Sequence, residues 1–363
     1  MIQRTTRLLL LTGQLLPAAL RWAHPPTGLP AGRAIVFPDV PGYRTLVTDL
    51  HTHSVFSDGS VWPDIRVEEA IRDGLDVFAI TEHLGYEPHA EDVPFEDKNR
   101  AYEVAVEFLE ELREEDAPGA DLILVHGSEI TREMPPGHAN AIFIEDANRL
   151  TEGDDLELFR EANRQGAFVF WNHPSWIGQR PDGVARLAEI HRRLIDEGLL
   201  HGIEVVNDWT YSDAALQIAL EHDLTILGTS DIHGLVDWRY DIPNEGHRPV
   251  TLVFAEERSE PAVKEALFAG RTVAWFTNLL VGHGDSLVPL VEASLVLDEA
   301  FYPAEKSVLT LWIENRSSAS WVLRNVGPFE LYNQGNVVTL DAHTRTRIQV
   351  ITGERLESCL LYT

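Results

Sequence analysis

DLHTHSVFSDG, residues 49–59, is the stretch around which the rest of the chain can be interpreted. The apolar run at 46–50 predicts a buried strand that leads into it. His51 and His53 follow at the end of that strand, and residues two apart on an extended chain point to the same side. Both imidazoles can therefore reach one metal ion, and Asp58, in a Ser-Asp-Gly turn, can fold back toward it. The stretch predicts a metal site at the carboxyl end of a strand.

Short apolar runs that alternate with segments of helical periodicity continue across residues 45–280. Such alternation predicts parallel βα units, and this many units predict a closed or nearly closed barrel whose chemistry lies where strands end and loops begin. The predicted strands are 46–50, 75–80, 122–125, 139–144, 167–171, 203–206, 225–228, 250–254 and 272–276. The predicted helices are 66–73, 99–115, 155–164, 184–196, 214–222 and 262–269.

The composition changes near residue 285, where helix signals become few. Short alternating runs separated by Gly, Asn and Ser predict a small all-β sandwich. Its predicted strands are 291–297, 308–314, 328–332, 337–340 and 345–351. We therefore expect an α/β barrel at residues 45–284, preceded by an irregular lead-in at 24–44 and followed by a β-sandwich domain at 285–363.

The chain of 363 residues carries a formal net charge of -29, from 58 acidic and 29 basic residues. Such a surface repels nucleic acid and anionic membranes, so neither is an expected partner. An anionic substrate stays compatible with this charge, because bound divalent ions can invert the local field. Cys359 is the single cysteine, so cysteine usage does not identify the compartment.

The N-terminus is similar to a secretory signal. Arg4 and Arg7 precede an apolar run at 8–20, which is followed by Ala23 and a Pro-rich segment. A basic start with a short apolar core is typical of a signal peptide. The apolar run itself is too short for a transmembrane helix. We expect a signal peptide at residues 1–23 and export to the periplasm or the cell exterior. The alternatives are an amphipathic N-terminal helix or a misassigned start codon, with a cytoplasmic protein. No other segment predicts a transmembrane span.

Histidines and carboxylates recur where the predicted strands meet their loops. A single histidine at a strand end is more often structural than a ligand. Nine such groups in one crevice are costly to bury unless metal ions or substrate satisfy them. Imidazole with carboxylate suits two or three divalent ions such as Mn²⁺, Zn²⁺ or Fe²⁺. The nine candidate ligands are His51, His53, Asp58, His83, Glu129, His138, His173, Asp231 and His233.

A cluster of divalent ions predicts hydrolysis. Such ions lower the pKa of a bound water, neutralise phosphate oxygens and stabilise charge that develops during an in-line displacement. Hydrolysis of a phosphoric ester is the natural reaction. Amide hydrolysis uses the same ligand types and stays an alternative.

The ordered motifs HTH, SDG, TEH, GSEIT, GHANAIF, WNHP and SDIH resemble the polymerase-and-histidinol-phosphatase (PHP) family. The resemblance covers residues 45–280 and implies a distorted seven-stranded barrel with a two- or three-metal phosphoesterase site. Phrases such as EITREMPPGHANAIF, QGAFVFWNHPSW and HRPVTLVFAEERS are similar to a branch of exported bacterial phosphodiesterases that act on organophosphate diesters. Glu82 departs from the family, which more often has Asp beside its histidine, but it is not an implied ligand.

The resemblance also implies how the ligands are shared, with Glu129 as the bridging carboxylate. It groups His51, His53, Glu129 and Asp231 around one metal. It groups Glu129, His138 and His173 around a second. Asp58, His83 and His233 would hold a third, or act as acid and substrate groups if that position is empty. We accordingly expect the catalytic residues to be Asp58, His83, Asp231 and His233.

Candidates for contacting the substrate are fewer. Arg132 and Arg248 lie near the motifs, and a forked guanidinium can pair with phosphate oxygens. For each, a surface salt bridge is the alternative. Asn207 ends a predicted strand and can face the site. Trp171, Trp176, Trp209 and Tyr240 are expected to line an apolar pocket for an ester group, and for Trp171 packing of the barrel is the alternative.

The leading hypothesis is a metal-dependent phosphodiesterase that acts on a small phosphate ester with a metal-activated water or hydroxide. A histidinol-phosphatase-like phosphomonoesterase is the nearest alternative. Enzymes for monoesters usually hold the dianion with several cationic groups, and only two arginines lie near these motifs. A metal-dependent amidohydrolase and a non-catalytic binding module are the remaining alternatives.

Overall fold

The computed structural model describes residues 34–242 and 246–355, so the predicted signal peptide and Cys359 lie outside the described residues. One large sheet forms the first part of the protein. Its strands are β1 (Arg44–Asp49), β2 (Val77–Ile80), β3 (His83–Leu84), β4 (Ile123–Ile130), β5 (Ala139–Ile142), β6 (Phe168–Trp171), β7 (Gly202–Asn207), β8 (Thr210–Tyr211), β9 (Thr225–Thr229), β10 (Val250–Ala255), β11 (Thr272–Phe276) and β12 (Leu279–Gly282).

Helices connect most of these strands and cover the outside of the sheet. They are α1 (Pro63–Arg72), α2 (Arg100–Glu114), α3 (Asp155–Arg164), α4 (Glu189–Asp196), α5 (Asp213–His222), α6 (Val236–Arg239), α7 (Glu260–Phe268) and α8 (Gly284–Ser294). Their apolar faces make them pack on the sheet: in α2, for example, the buried residues Ala105, Phe108, Leu109 and Leu112 recur at helical spacing. None of the described helices combines the length and apolar character that a membrane crossing requires.

The sheet is mixed rather than parallel throughout. The order is β12-β11-β10-β1-β2-β4-β5-β6-β7-β8, with β3 beside β4 and β9 beside β7. Strand β5 runs antiparallel to both β4 and β6, and β10 runs antiparallel to β1 and β11. The prediction of parallel units is wrong at these places. For β4 and β5 the reason is the short connection at 131–138, which has no room for a crossover helix and makes a hairpin instead.

The sheet curves into the distorted barrel that the resemblance implies, without a hydrogen-bonded strand pair that joins its two ends among the described residues. Thr251 bridges β10 to β9, because its hydroxyl donates to the carbonyl of Gly228 and accepts from the N–H of the same residue. At one end, the chain beyond β1 pairs with the chain beyond β9. His53 N–H donates to the carbonyl of Ile232, and Asp231 N–H donates to the carbonyl of His51. This pairing brings two predicted ligand motifs side by side.

Apolar side chains fill the barrel interior, so the polar crevice is confined to one end. Leu46, Ala79, Phe170, Leu227 and Val253 are all buried in one cluster, to which helix α7 also contributes. Burial of aliphatic and aromatic side chains of this kind supplies the main driving force for folding.

The C-terminal part is the predicted β-sandwich. Its strands are β13 (Leu295–Phe301), β14 (Val308–Asn315), β15 (Trp321–Arg324), β16 (Glu330–Leu331), β17 (Val337–Leu340) and β18 (Arg345–Ile351). One sheet has the order β13-β14-β18-β16 and the other pairs β15 with β17, around a core of Leu309, Leu311, Leu340, Ile348 and Val350. The predicted strand at 291–297 is wrong at its start, because residues up to Ser294 belong to α8 and the apolar run continues from helix into strand without a break.

Candidate metal centre

The nine predicted ligands converge at one end of the barrel, where the chain leaves or enters its strands. His51 and His53 follow β1, and His83 begins β3. Asp231 and His233 follow β9. The remaining members are Asp58, Glu129, His138 and His173. The convergence is a feature of the structure, and the assignment of each residue as a ligand stays a prediction.

The first group of donor atoms surrounds a point between His51 and His53, whose Nε2 atoms lie 3.0 Å apart. Asp231 Oδ1 is 3.2 Å from the Nε2 of His51 and 3.1 Å from that of His53. The carboxylate of Glu129 is 3.6 Å from each of these nitrogens. Nitrogen and oxygen lone pairs that meet in this way suit a divalent cation.

Glu129 also faces a second group. Its Oε1 lies 3.1 Å from His138 Nδ1 and 3.4 Å from His173 Nε2. Its Oε2 lies 2.5 Å from His83 Nδ1. The carboxylate is held centrally because it belongs to β4 itself, where Glu129 pairs in register with His83. A bridging role for Glu129 is therefore compatible with the geometry.

The third group lies around Asp58. Its Oδ1 is 3.0 Å from His233 Nε2 and 3.5 Å from His83 Nε2. The ring of His53 stacks against those of His83 and His233, with centroids 4.4 Å from each. The donor atoms of these four residues all lie within 4.8 Å of one another. His53 thus belongs to both the first and the third group.

Unsatisfied oxygens show that the crevice fits bound cations. Among the described residues, Asp58 Oδ1 and Glu129 Oε2 are buried and make no hydrogen bond of acceptable geometry, although His233 Nε2 and His83 Nδ1 lie 3.0 Å and 2.5 Å from them. A buried carboxylate oxygen without a partner is costly, and a metal ion would remove that cost. The donor set of imidazole nitrogens and carboxylate oxygens fits Mn²⁺, Zn²⁺ or Fe²⁺.

The charges around the crevice favour ionised carboxylates and a neutral His53, whereas nearby carboxylates outweigh burial and raise the pKa of His83 to about 10 and that of His51 well above its usual range, so these two rings must lose a proton to bind a metal. Burial opposes ionisation of Glu129, but the neighbouring His83 and His51 outweigh it and hold the pKa of this carboxyl well below its usual range. Burial, together with His83 and His233, lowers the pKa of His53 to about 3, so its ring is neutral. Ionised carboxylate and neutral imidazole are the forms that bind metal, and any proton left on a ligand is released on binding.

Glu204 is a site residue that the sequence analysis missed. It is fully buried, and its Oε1 accepts from His51 Nδ1 at 2.7 Å and from the Thr229 hydroxyl at 2.6 Å. Its Oε2 accepts from the backbone N–H of His173 at 2.6 Å and from Asn207 at 2.9 Å. The signal was present in the sequence as an acidic residue inside an apolar strand. Glu204 orients His51 so that its Nε2 faces the centre.

Replacing Glu204 with glutamine is expected to weaken metal binding by about 10- to 100-fold. The amide NH₂ would face donors where the carboxylate offered an acceptor. Competition with a chelator would measure the affinity, and Glu221→Gln on the exposed surface of α5 is the matched control. An unchanged affinity in Glu204→Gln would contradict the orienting role.

Two of the predicted substrate residues face the site. Asn207 donates to Glu204 and lies 3.3 Å from Asp231 Oδ2. Arg132 is half-buried at the entrance, where its Nε is 3.2 Å from Asp155. Contact of either residue with a substrate stays a prediction.

Arg248 does not face the site. Its side chain is fully buried, and its guanidinium contacts Asp49 at 3.1 Å and Asp73 at 2.8 Å. Asp49 also accepts hydrogen bonds from the N–H and the hydroxyl of Ser230, the residue before Asp231. The predicted role in substrate binding is therefore wrong, because the charge is shielded from the crevice. Arg248 instead supports the loop that carries Asp231.

The aromatic pocket is smaller than predicted. Trp171 and Tyr240 are each only 1% exposed, so they pack inside the protein. Trp209 is exposed and contacts Tyr240 and Phe276. Trp176 alone of the four lines the openings that lead to the metal-ligand candidates.

Two clefts meet at the crevice. The first cleft, of about 620 Å³, is lined by residues that include Asp58, His83, Tyr86, Arg132, His138 and Trp176. The second cleft, of about 520 Å³, is lined by residues that include Trp176, Asn207, Asp208, Asp231, Trp238 and Arg239. Trp176, Asp231 and His233 line both. A bound molecule can therefore extend from the centre in two directions.

His191 supports the loop that carries His138, and its state predicts a pH effect. Its Nε2 hydrogen bonds to the carbonyl of Pro136 at 2.7 Å, and its Nδ1 accepts from Ala188 N–H at 2.9 Å. Burial lowers the pKa of His191 to about 4, so the folded protein keeps this ring neutral. Because the unfolded chain takes up the proton first, this contribution is complete above about pH 6.5 and is lost as the pH falls toward 4.

The free energy of unfolding, measured by urea titration, is therefore expected to fall between pH 6.5 and pH 4. In His191→Gln the free energy of unfolding should fall less steeply with decreasing pH, by up to about 1.4 kcal/mol per pH unit, because one titrating group has been removed. Identical slopes for the two proteins would contradict a neutral His191.

Comparison with known proteins agrees with this geometry. A solved structure from Bacteroides vulgatus, described as a two-domain protein containing a predicted PHP-like metal-dependent phosphoesterase, is 41% identical to the chain. The similarity covers 91% of this chain and 93% of that one, with a TM-score of 0.82. The family model of the PHP domain matches residues 49–165, and the family model of an Ig-like domain matches residues 295–363.

More distant structures add little. PsfC from Pseudomonas syringae is 17% identical over 68% of this chain and 96% of its own, with a TM-score of 0.42, which is too low to inform function. Among proteins with curated descriptions, none is significantly similar to this chain. The extensive similarity to the Bacteroides vulgatus protein decides the family. The chain belongs to the PHP-like metal-dependent phosphoesterases.

Proposed function

We propose that the protein is a phosphodiesterase that hydrolyses small phosphoric diesters with two or three divalent ions. The observation that carries this proposal is the pair of clefts that meet at Asp231, His233 and Trp176. A diester has two esterifying groups on its phosphate, and each can extend from the centre into its own cleft. A monoester has one such group and would leave the other cleft without a function.

The scarcity of free cations supports the same substrate class. Among the described residues that line the clefts, Arg132 and Arg239 are the only arginines or lysines. Arg132 is paired with Asp155, and Arg239 is paired with Asp208. The dianion of a monoester would need more unpaired positive charge than the monoanion of a diester.

The protein residues have distinct parts in this reaction. Bound ions would supply a hydroxide near neutral pH and neutralise the phosphate oxygens. His51, His53, Asp231 and the bridging Glu129 would hold the first ion, and Glu129, His138 and His173 the second. Glu204 fixes the ring of His51 through Nδ1.

His233 is placed to handle the leaving group when Asp58 and His83 hold no third ion. Burial lowers its pKa, but Asp58 and Asp231 more than compensate, so the pKa of His233 is raised and the ring keeps a proton. Its side chain is 37% exposed at the junction of the clefts. From there Nε2 can donate the proton to the departing ester oxygen.

The test compares bis(4-nitrophenyl) phosphate with 4-nitrophenyl phosphate as substrates of the manganese-reconstituted protein. We expect a clear preference for the diester in kcat/KM. Preference for the monoester would instead assign a histidinol-phosphatase-like activity. Metal binding without turnover of either ester would favour an amidohydrolase or a non-catalytic binding module.

The proposal includes export and the domain limits at residues 24–44, 45–284 and 285–363. A basic start and an apolar run at 8–20 support cleavage near Ala23. The mass of the protein recovered from the periplasm or culture medium tests this: loss of about the first 23 residues is expected. An unprocessed chain confined to the cytoplasm would contradict export.

A further inference from the structure

Three aromatic side chains are exposed at the two clefts. Tyr86 is 52% exposed in the first cleft, and Trp238 is 84% exposed in the second. Trp176 is 48% exposed and lines both. Burial of an aromatic ring lowers the free energy, so an exposed ring beside a functional crevice offers a surface for an apolar or planar group.

Trp176 contacts two of the proposed ligands, whereas Tyr86 contacts one, His83, with centroids 5.7 Å apart. The centroid of Trp176 lies 5.4 Å from that of His173 and 5.8 Å from that of His138. A group attached to a phosphate at the centre can therefore reach the indole.

The indole is held in place by the backbone of Gly178. A Cβ atom at position 178 would lie only 2.5 Å from Cζ2 of Trp176, so no side chain fits there without displacing the ring. The loop is also closed by hydrogen bonds from Gln179 N–H and Arg180 N–H to the carbonyl of Trp176. A ring fixed in this way loses little conformational entropy when a ligand stacks on it.

The charge of the clefts indicates what kind of group can lie there. Arg132 and Arg239 are already paired with Asp155 and Asp208, so neither adds net positive charge. Glu133 also lines the first cleft. A second anionic group on the substrate would be repelled, both here and by the net charge of -29 on the whole chain.

From these observations we propose that the substrate is a phosphodiester in which the esterifying group that is retained, rather than the leaving group, carries an uncharged planar ring, and that this ring stacks on Trp176. The inference rests on the proposed phosphodiesterase function and names its substrate class. An aryl ester and a nucleoside ester share this chemistry. Trp176 is then a specificity-determining residue that contributes to KM and kcat/KM rather than to proton transfer.

The test uses two substrates with the same leaving group. Bis(4-nitrophenyl) phosphate retains a second ring, whereas methyl 4-nitrophenyl phosphate has a methyl group in its place. In Trp176→Ala, kcat/KM for the ring substrate should fall by about 10- to 100-fold, the range for loss of one stacking contact. The value for the methyl substrate should change less than about threefold. Because kcat/KM of the variant is divided by that of the unmodified protein on the same substrate, the different intrinsic reactivities of the two substrates cancel.

Two further variants separate stacking from general disruption. Trp176→Phe should recover most of the selectivity for the ring, because a planar side chain is restored. Gly178→Ala, which would push the indole aside, should reproduce the selective loss without removing the ring. Trp62→Ala is the control, since Trp62 is 47% exposed but lines neither cleft. Measuring kcat/KM on a third substrate, thymidine 5′-(4-nitrophenyl) phosphate, distinguishes a nucleoside from an aryl group as the retained ester group.

The outcomes are distinguishable from those that test the function. An equal loss on both substrates in Trp176→Ala, or no loss on either, would overturn the stacking inference and leave the phosphodiesterase intact. A failure of the unmodified, metal-loaded protein to hydrolyse any of the diesters would overturn the phosphodiesterase itself.

Discussion

Replacing Glu129 with glutamine is expected to reduce diester hydrolysis at least about 1000-fold, because the variant loses the one carboxylate shared by two proposed metal positions. Glu129 is fully buried and lies within 3.6 Å of donor atoms on both sides of the crevice. A neutral amide would remove its negative charge and could not bridge two cations. The loss should therefore appear in metal content as well as in turnover.

Metal content by elemental analysis, together with kcat on bis(4-nitrophenyl) phosphate, checks this expectation. Glu110→Gln on the exposed face of α2 is the matched control and should behave as the unmodified protein. Full metal content in Glu129→Gln with normal turnover would show that the carboxylate does not bridge. Normal content with low turnover would place its role in the chemistry rather than in metal binding.

Replacing Arg248 with methionine is expected to lower the free energy of unfolding by about 3–5 kcal/mol, because it leaves buried carboxylate charge without its partner. The guanidinium is completely buried between Asp49 and Asp73. Methionine has a similar length but cannot compensate either carboxylate. Since Asp49 holds Ser230, the loop that carries Asp231 should loosen as well.

Urea unfolding measures the effect, and Arg186→Met is the matched control. Arg186 pairs with Asp182, but both side chains are 54% exposed, so its loss should change stability by less than about 0.5 kcal/mol. If Arg248→Met instead kept full stability and raised only KM, Arg248 would bind substrate after all.

The ligand motifs could be predicted from sequence because strand geometry is local. The spacing of His51 and His53 and the repeat of that spacing in Asp231 and His233 are enough to place their side chains on one side of a strand end. A barrel then brings successive strand ends together. All nine candidates do converge, and the β-sandwich that follows was also predicted correctly.

Long-range pairing was not predictable in the same way. The antiparallel position of β5 depends on a short connection, and the burial of Arg248 depends on Asp49 and Asp73, which are distant in sequence. Glu204 is an acidic residue inside an apolar strand, but the sequence does not show what it contacts, since its partner His51 lies 153 positions away. A charged residue near a loop, such as Arg248, is expected to be exposed, but it can be buried when carboxylates from distant parts of the chain pair with it.

Reconstitution with metal tests the central claim most directly. After removal of bound ions with a chelator, the protein should be titrated with Mn²⁺ while hydrolysis of bis(4-nitrophenyl) phosphate is followed. We predict negligible turnover without metal and a rise that saturates at two or three equivalents of bound ion. Turnover that is unchanged by removal of metal would contradict the assignment of the crevice as a hydrolytic metal centre.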